Sequence, residues 1–397
     1  PIHIGPIMFA AHDINKRGGI WVDGKKKLIE VIQADHQSRP DICKKVCERM
    51  VLKEKVHVLM GTSGSNLMKI ISEVGNKYKV IVVNEGAPGD EMQNAENFGR
   101  YSFMPSASTE QIGRAMAYFY GQIRKKEKKF YILCQDYSFG RNGADGFKKG
   151  LKEYYPEAEI VGEDYHKLFL TDFAPYITKI KASGAEVIWT LDWTPDSGNL
   201  LKQSRELGLN IPFANLYMTS PDELNAVGVE GTKGLVHVDY NTSCPPFKHP
   251  GYDKFFKAWH DQWKKWKTKP YDQALFEFNS QAIGSFTQAP YWLFSVIARA
   301  KSTDPEKIIK VWEGDTYQYA NGHVLKMRAC DHKAIQNLVI EEYATPEDQK
   351  VSMTIPPYYW SKERSAPGNC YSIPAPKILP LMDQNLDRCK GKNDWGE

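Results

Sequence analysis

Short apolar runs of strand type alternate with amphipathic helical segments along most of the chain. Between two of these runs, Ile112, Met116, Phe119 and Ile123 recur at helical spacing behind the capping residue Ser108. Alternation of this kind predicts an α/β fold in which helices cover parallel sheets on both faces. The predicted strands cover residues 28–33, 56–60, 80–84, 130–134, 160–162, 186–191, 212–217 and 235–238.

The length of the chain predicts more than one domain. Its 397 residues exceed one ordinary core and fit two domains of about 150 residues each plus a tail. A charge run at 125–129 and a proline-containing stretch at 241–251 interrupt the alternating pattern. Both stretches are expected to cross from one lobe to the other.

Charge and hydropathy narrow the functional classes. Lysine and arginine exceed aspartate and glutamate by four (52 against 48) and are dispersed, so composition gives no reason to expect nucleic-acid binding. No run approaches the ~18 consecutive apolar residues of a membrane span. We therefore expect a soluble chain, with its export status open because a leader could have been removed.

The seven cysteines do not form a metal signature. Cys43 and Cys47 are four positions apart on a helix-type stretch and lack a second Cys or His pair nearby, which favours buried thiols over a zinc site. We expect no metal and no cofactor. Cys370 and Cys389 lie in a proline-rich tail that cannot build its own core, and they are the expected disulfide if the compartment is oxidising.

The segment 61–66, Gly-Thr-Ser-Gly-Ser-Asn, is the most informative loop. It follows a predicted strand and opens a predicted helix, so backbone N–H groups, a helix dipole and hydroxyls come together there and favour an anionic ligand. A nucleotide P-loop would need a lysine after Gly64. A hydrolase elbow would need glycine where Ser65 stands. A plain helix-capping loop remains the alternative.

Ligands of open α/β sheets bind beyond the carboxyl ends of the strands. The loops at those ends are rich in hydroxyl, glycine and aromatic residues, and they contain no catalytic triad, Cys-His pair or plausible pair of catalytic carboxylates. We therefore expect recognition of a ligand rather than a reaction. The loops cover residues 62–66, 85–89, 135–140, 192–196 and 217–220.

Several motifs, taken in order, resemble a known family. DINKRGGI at 13–20 looks like the family's EIN-x-x-GGI, and DYSFG at 136–140 is similar to D-x-x-YG. The family is that of the type I periplasmic solute-binding proteins of ABC transporters, in the branch of the leucine/isoleucine/valine-binding proteins. Further resemblances lie at 58–65 (IIG-x-x-x-S), 171–188 (TDF…KIKAAGPDVV), 202–208 (RQARELG) and 302–309.

The resemblance implies two Rossmann-like lobes with parallel central sheets, joined by a hinge as in a Venus flytrap. The first lobe is expected to comprise 1–121 plus 250–325, the second 122–249 plus 326–345, and a proline-rich extension 346–397, which lacks a helix or strand period and should wrap the surface or the hinge. The family begins with a strand, whereas 5–15 here reads as the helix that follows it. We therefore expect the first strand to be missing from this chain.

The resemblance also implies ligand contacts. Ser65 takes the position of the serine that holds a ligand carboxylate, Gly86 and Ala87 fall where backbone groups hold carboxylate and amine, and Phe139 matches an aromatic residue that covers the ligand. The full set of expected ligand-binding residues is Ser63, Ser65, Gly86, Ala87, Phe139, Asp192, Trp193, Thr194 and Tyr217.

One position departs from the amino-acid-binding members. Tyr217 stands where those members place a glutamate to pair the ligand ammonium, and an ammonium without a carboxylate would be costly to desolvate. Asp192 or Glu85 could substitute. Otherwise the ligand lacks the amine, and Trp193, Phe139 and Tyr217 suggest a flat or aromatic body. The ligand class thus stays open between an amino acid and an aromatic or aliphatic organic acid.

The resemblance implies a monomeric, extracytoplasmic substrate-binding protein that delivers its small ligand to an ABC permease. Its expected location is the periplasm or the outer face of a bacterial membrane. A sensor domain of the same fold without a permease is the second hypothesis. An enzyme on an α/β scaffold is the third.

Overall fold

The structure is a computed structural model that describes residues 4–218, 221–240, 254–255, 257–258, 261–262, 285–320, 322–344 and 366–397. The helices, numbered here in chain order, are α1 (Ile4–Lys16), α2 (Pro40–Leu52), α3 (Ser65–Tyr78), α4 (Thr109–Tyr118), α5 (Ser138–Tyr154), α6 (Ala174–Ser183), α7 (Asp196–Glu206), α8 (Pro221–Thr232), α9 (Ser285–Ala300) and α10 (Pro305–Trp312). Short 3₁₀ turns cover Asp90–Gln93 and Ala375–Lys377, and a π-type turn covers Phe119–Arg124.

The strands are short and alternate with these helices, which confirms the predicted α/β class. They are β1 (Ile20–Val22), β2 (Lys25–Lys27), β3 (Val58–Met60), β4 (Ile81–Val83), β5 (Ser102–Phe103), β6 (Lys129–Gln135), β7 (Glu159–His166), β8 (Val187–Thr190), β9 (Phe213–Asn215), β10 (Leu235–Asp239), β11 (Thr316–Gln318), β12 (Val324–Met327), β13 (Ala334–Ile335), β14 (Leu338–Ala344) and β15 (Ala366–Ile373).

Local sequence signals set several helix ends. Ser108 and Gln111 form the predicted capping box, in which Ser108 N–H donates to Gln111 Oε1 at 2.9 Å. Helix α6 starts beside Asp172, whose Oδ1 accepts from Ala174 N–H at 3.0 Å. It ends at Gly184, where the left-handed φ of 72° suits a residue without a side chain.

The first lobe is built on the parallel sheet β3–β4–β5. Two hydrophobic cores flank this sheet. One includes Ile81 and Val83 together with Trp292 of α9, and the other includes Leu59 and Met68. Covering a parallel sheet on both faces leaves the carboxyl ends of its strands as the place where loops can meet a ligand.

The second lobe is built on a seven-stranded sheet in the order β15–β14–β10–β9–β8–β6–β7. The five strands from β10 to β7 run parallel, and β14 and β15 add an antiparallel edge. One face packs around Phe130, Phe147 and Trp189. The other packs around Leu133 and Phe213.

The packing of α4 bears on the first connection between the lobes. Ile112 and Met116 of α4 pack with Phe130 and Phe147 in the second-lobe core. We therefore propose that the chain crosses at 104–108, before α4, in place of the expected crossing at 125–129 and the expected boundary at 121/122. The apolar period of α4 does not reveal which sheet it covers, and the sequence therefore could not place this crossing.

The last connection also shifts. Met327 and Ala334 pack in the first-lobe core, so the expected boundary at 325/326 cuts through the sheet β11–β12–β13. We therefore propose that the chain crosses at 336–337. Gln288 ties this crossing to the first one, because its Nε2 donates to Pro105 O at 2.9 Å and to Gln336 Oε1 at 3.2 Å. The predicted crossing at 241–251 lies outside the described residues.

Two predicted segments differ in detail. No strand pairing is assigned to residues 28–33, where the backbone of Ile29 bonds the side chain of Asn15 in both directions, at 2.7 and 2.8 Å. At the other end, the tail expected to lack strands contributes β15 to the edge of the second sheet. The expected helix at 5–15 is present as α1, and the strand expected to precede it stays a prediction.

The predicted disulfide is wrong. Cys389 is bonded to Cys330, 59 positions earlier in the sequence, and Cys370 is itself disulfide-bonded. The expected partner shared a tail with Cys389, whereas the actual partner follows β12 in the first lobe. The disulfide therefore fastens the end of the chain to the first lobe.

Candidate functional site

The first-lobe part of the candidate site is the amino end of α3. Ser65 is the first residue of this helix, and the capping residue Gly64 has no side chain to bond its N–H groups. Ser65 is only 3% exposed, and its Oγ has no hydrogen-bond partner among the described residues. A buried hydroxyl beside the positive end of a helix is suited to an anionic group of a ligand. Ser63 lies exposed in the same loop.

The loop before α3 has an unusual backbone. Gly61 has a φ of 119° and Thr62 a φ of 91°. Positive φ is rare for a β-branched residue and indicates local strain, which is often stored at ligand sites. The hydroxyl of Thr62 lies 3.0 Å from Nε2 of His36, so a side chain outside the loop helps to hold this conformation.

The second loop of this lobe follows β4. Asn84 holds Ala87 in a tight turn, donating from Nδ2 to Ala87 O at 2.8 Å and accepting from Ala87 N–H at 2.9 Å. Because both backbone groups of Ala87 are engaged, Gly86 is the better backbone candidate of the two. Glu85 reaches the first loop, since a Cβ built on Gly61 would lie 3.8 Å from its Oε1.

The second-lobe part of the candidate site consists of four aromatic residues, here called the aromatic wall: Tyr137, Phe139, Trp193 and Tyr217. The rings of Phe139 and Tyr217 stack with centroids 5.8 Å apart, and Tyr137 lies 5.9 Å from Phe139. Trp193 Nε1–H donates to the Tyr137 hydroxyl at 2.9 Å. These contacts bring together three expected residues, Phe139, Trp193 and Tyr217, from loops that follow three different strands.

The other two expected residues of this lobe are engaged in internal bonds. Asp192 is buried, and its Oδ2 lies 2.7 Å from Nε2 of His166. Burial lowers the pKa of His166, but the hydrogen bond to Asp192 and its charge raise that pKa above the ordinary value overall. Thr194 donates its hydroxyl to Glu223 at 2.6 Å, which indicates a structural role.

The expected ligand-binding set omitted Tyr137, Gln135, Asp196 and His166. The first three lie in the predicted strand-end loops 135–140 and 192–196, which was the available signal. His166 has no such signal, because only the parallel pairing of β6 with β7 and β8 brings it to these loops.

The two lobes also touch beside these loops. Asn142 on α5 donates its side-chain amide to the carboxylate of Glu91, which lies in the turn Asp90–Gln93 of the first lobe. This turn follows the loop of Gly86 and Ala87, and α5 begins at the loop of Phe139. The bond therefore joins the lobes near the candidate site.

A separate set of residues has metal-ligand character. His237, Asp239 and Glu341 are buried on β10 and β14 and place one ligand-type atom each within 4.8 Å of one another. Burial lowers the pKa of His237 to about 3, so its ring is neutral. Its Nδ1 lies 3.3 Å from Asn215 Oδ1, which indicates a polar contact within the sheet.

Comparison with known proteins identifies the family. The profile of the family described as "Periplasmic binding protein" matches residues 7–347. The chain belongs to the periplasmic binding protein family. An "Amino acid binding protein" of Pseudomonas aeruginosa is 30% identical to this periplasmic binding protein over 234 residues, which are 57% of this chain and 59% of that one. The chain thus spans less than two thirds of that relative's length.

Solved structures agree on the fold. An ABC transporter solute-binding protein of Rhodopseudomonas palustris BisB5, in complex with 3,4-dihydroxybenzoic acid, superposes with a TM-score of 0.73 at 20% identity and covers 93% of this chain and 92% of its own. The isoleucine complex of LivJ from Streptococcus pneumoniae gives 0.68 at 19% identity, covering 86% and 90%. The expected two-lobed periplasmic-binding-protein fold of type I is therefore confirmed.

Family membership and disulfide bonding together indicate a protein that works outside the cytoplasm. Within the part of the chain that the structure describes, none of the helices combines the length and the hydropathy needed to cross a membrane.

Proposed function

We propose that this periplasmic binding protein is the substrate-binding component of an ABC importer and takes a small carboxylate-bearing ligand between its lobes. The observation that carries the proposal is Ser65 at the start of α3. Its buried hydroxyl has no partner within the described residues and lies in the first turn of α3, which no side chain caps. A carboxylate at this position would accept hydrogen bonds from the hydroxyl and from the helix end, which removes the cost of burying an unsatisfied polar group.

The ligand body is best matched by an aromatic ring. The aromatic wall offers the stacked rings of Phe139 and Tyr217 and the indole of Trp193, and offset stacking on such rings favours a flat ligand. Tyr217 supplies no negative charge for an α-ammonium group. The Rhodopseudomonas palustris protein of the same fold is in complex with a dihydroxybenzoic acid, which supports an aromatic acid.

An amino acid is the second candidate ligand. It is favoured by the name of the Pseudomonas aeruginosa relative and by the buried carboxylate of Asp192, which could pair an ammonium group. The two candidates differ in one chemical group, the amine beside the carboxylate.

The proposed action is binding coupled to closure, without a chemical step. Contacts from both lobes exist together only when the cleft is closed, so a ligand shifts the hinge equilibrium by its differential affinity for the two states. A bacterial permease would then recognise the closed form. We propose that the protein acts as a monomer at the periplasmic or outer face of the membrane and is not an enzyme.

A thermal-shift screen followed by titration calorimetry tests the ligand class. Benzoate and its hydroxylated derivatives, aliphatic acids, and branched-chain and aromatic amino acids form the panel. A ligand that binds only the folded state raises Tm by mass action. We expect the aromatic acids to give the largest shifts. Larger shifts with amino acids would overturn the aromatic assignment, and no shift from any carboxylate would overturn the carboxylate site.

A second experiment separates importer from sensor and enzyme. An ABC permease encoded next to the gene of this protein is reconstituted in proteoliposomes. The ligand-loaded protein is added, and ATP hydrolysis is measured. Stimulation only by the loaded form supports the importer. Conversion of the ligand during incubation, detected by mass spectrometry, would support an enzyme instead.

A further inference from the structure

A polar cluster adjoins the aromatic wall at the carboxyl ends of β6, β7 and β8. It consists of Gln135, His166, Asp192 and Asp196, each of which is at most 1% exposed. Gln135 ends β6, His166 ends β7, and the two aspartates follow β8. Burying two carboxylates and an amide together is costly unless their oxygens accept hydrogen bonds.

The internal bonds of this polar cluster satisfy only one oxygen of each carboxylate. Gln135 Nε2–H and Phe169 N–H donate to Asp196 Oδ2 at 2.8 and 2.9 Å. His166 Nε2 lies 2.7 Å from Asp192 Oδ2. In each aspartate, therefore, the bonds within the polar cluster use Oδ2 and leave Oδ1 aside.

Two acceptor oxygens are left over. Gln135 Oε1 and Asp196 Oδ1 are buried and have no hydrogen-bond partner anywhere in the described ranges. Asp192 differs, because burial raises the pKa of its carboxyl whereas hydrogen bonds from His166 and from the Thr190 hydroxyl lower that pKa. The polar cluster has already used its own donors, since the Gln135 amide faces Asp196 and His166 Nδ1 lies 3.0 Å from Lys167 O. Satisfying these oxygens requires donors brought in from outside the polar cluster.

The polar cluster and the aromatic wall are parts of one structure. Trp193 stands between Asp192 and Asp196 in sequence, and its carbonyl accepts from Asp196 N–H at 3.0 Å. Its indole bonds the Tyr137 hydroxyl. Burial and then the charges of Asp192 and Asp196 raise the pKa of Tyr137, which places that phenol within electrostatic range of both carboxylates.

We propose that the polar cluster is a second ligand subsite, which accepts hydrogen bonds from a donor group on the ligand body and thereby selects hydroxylated aromatic acids. This inference rests on the proposed function, with the carboxylate at Ser65 and the ring against the aromatic wall. A phenolic hydroxyl supplies the required donor at the end of a flat ligand. A ligand ammonium group has the same donor chemistry, and the experiment separates the two.

The first test uses the wild-type protein and a ladder of matched ligands. Calorimetry compares benzoate with 3- and 4-hydroxybenzoate, with 4-methoxybenzoate, which has no donor, and with 4-(aminomethyl)benzoate, which carries an ammonium. We expect at least one hydroxybenzoate to bind tenfold or more tightly than benzoate and the methoxy compound. Stronger binding of the ammonium compound alone would overturn the choice of a hydroxyl. Equal binding of all five would overturn the subsite.

The second test compares the dissociation constants of hydroxybenzoate and benzoate within each variant. Because both ligands see the same protein sample, the ratio of the two constants is unaffected by a general loss of folded protein. Asp192→Asn and Asp196→Asn should each lower the preference for hydroxybenzoate over benzoate at least fivefold. Asp164→Asn is the matched control, because Asp164 is bonded to Lys179 at 2.8 Å and to Tyr131 in the same lobe but outside the polar cluster. It should leave the ratio unchanged.

Two further outcomes are decisive. Equal weakening of both ligands by Asp192→Asn and Asp196→Asn would mean that buried water completes a structural cluster, and the subsite would be refuted. If neither variant folds, the wild-type ladder still decides. Absence of binding by every aromatic acid would refute the aromatic assignment of the proposed function, whereas binding without preference refutes only the subsite.

Discussion

Glu91 and Asn142 form a hydrogen bond between the two lobes. The amide of Asn142, on α5 of the second lobe, donates to the carboxylate of Glu91 in the first lobe. We propose that this bond contributes to affinity without touching the ligand, because an opening of the lobes that separates Glu91 from Asn142 would break it and leave it in the closed state only.

Asn142→Ala is expected to weaken ligand binding about three- to tenfold, because the closed state loses a hydrogen bond worth roughly 1 kcal/mol. Calorimetry with the tightest ligand of the screen measures the change. Asn199→Ala is the control, since the amide of Asn199 bonds Leu170 O at 3.4 Å within one lobe. An unchanged dissociation constant in the Asn142 variant would mean that this bond does not govern closure.

Ser65→Ala is expected to reduce affinity for a carboxylate ligand about 10- to 100-fold, because a hydrogen bond to a charged group contributes about 1.5–3 kcal/mol. Ser72→Ala makes the same change two turns further along α3, away from its amino end, and should leave binding unaltered. Equal affinities for the wild type and the Ser65 variant, compared at matched Tm, would rule out the carboxylate contact.

Glu110 should make stability fall as pH rises. Burial, then the charge of Asp90, raise the pKa of Glu110 from 4.5 to about 7, against the opposing charge of Arg114. The folded state therefore binds more protons than the unfolded state between pH 4.5 and 7. Stability from the protonated form is present below pH 4.5 and is lost as pH rises through 7, by at most about 3 kcal/mol.

Glu110→Gln is expected to remove this dependence, so that the variant gains stability relative to the wild type between pH 5 and pH 8. Urea unfolding at several pH values measures the free energy of unfolding of both proteins. Glu153→Gln removes the other carboxylate that pairs Arg114, at 2.8 Å, but Glu153 is half exposed and the change should leave the pH profile as it is. Parallel profiles for wild type and Glu110→Gln would contradict the shifted pKa.

Removal of the Cys330–Cys389 disulfide should destabilise the protein by about 2–4 kcal/mol, because the bond restrains the unfolded chain across a separation of 59 residues. The double variant Cys330→Ser/Cys389→Ser is compared with the wild type by denaturant unfolding. We also expect limited proteolysis to cut the end of the chain earlier in the variant. Identical cleavage rates would show that other contacts fasten this segment.

Arg328 makes several of those other contacts. It is fully buried, pairs with Asp331 and donates to Pro380 O and Asp394 O, both at 2.7 Å. Arg328→Gln should lower the free energy of unfolding by about 3–5 kcal/mol, because the substitution leaves Asp331 buried without its counter-charge. Arg100→Gln breaks an exposed pair with Glu306 and should cost less than about 1 kcal/mol. Similar losses of unfolding free energy in the two variants would contradict the expected difference between the buried and the exposed ion pair.

Local signals in the sequence specified much of the architecture. Apolar runs predicted seven of the strands, and the helix start at the capping residue Ser108 is present as expected. Helix periodicity did not reveal which sheet α4 covers, because any apolar face offers the same pattern. The proposed lobe boundaries therefore rest on the packing of side chains in the two cores.

For the candidate site, too, the sequence determined the local segments and the tertiary structure determined their contacts. The sequence determined the strand-end loops, the hydroxyl-rich start of α3 and the aromatic character of Phe139, Trp193 and Tyr217, since each depends on a short segment. The tertiary structure decided what those segments meet: Tyr137 with Trp193, and Gln135 with Asp196. It also decided that Cys389 bonds Cys330. Such partners lie far apart in the chain, and strand order and packing alone bring them together.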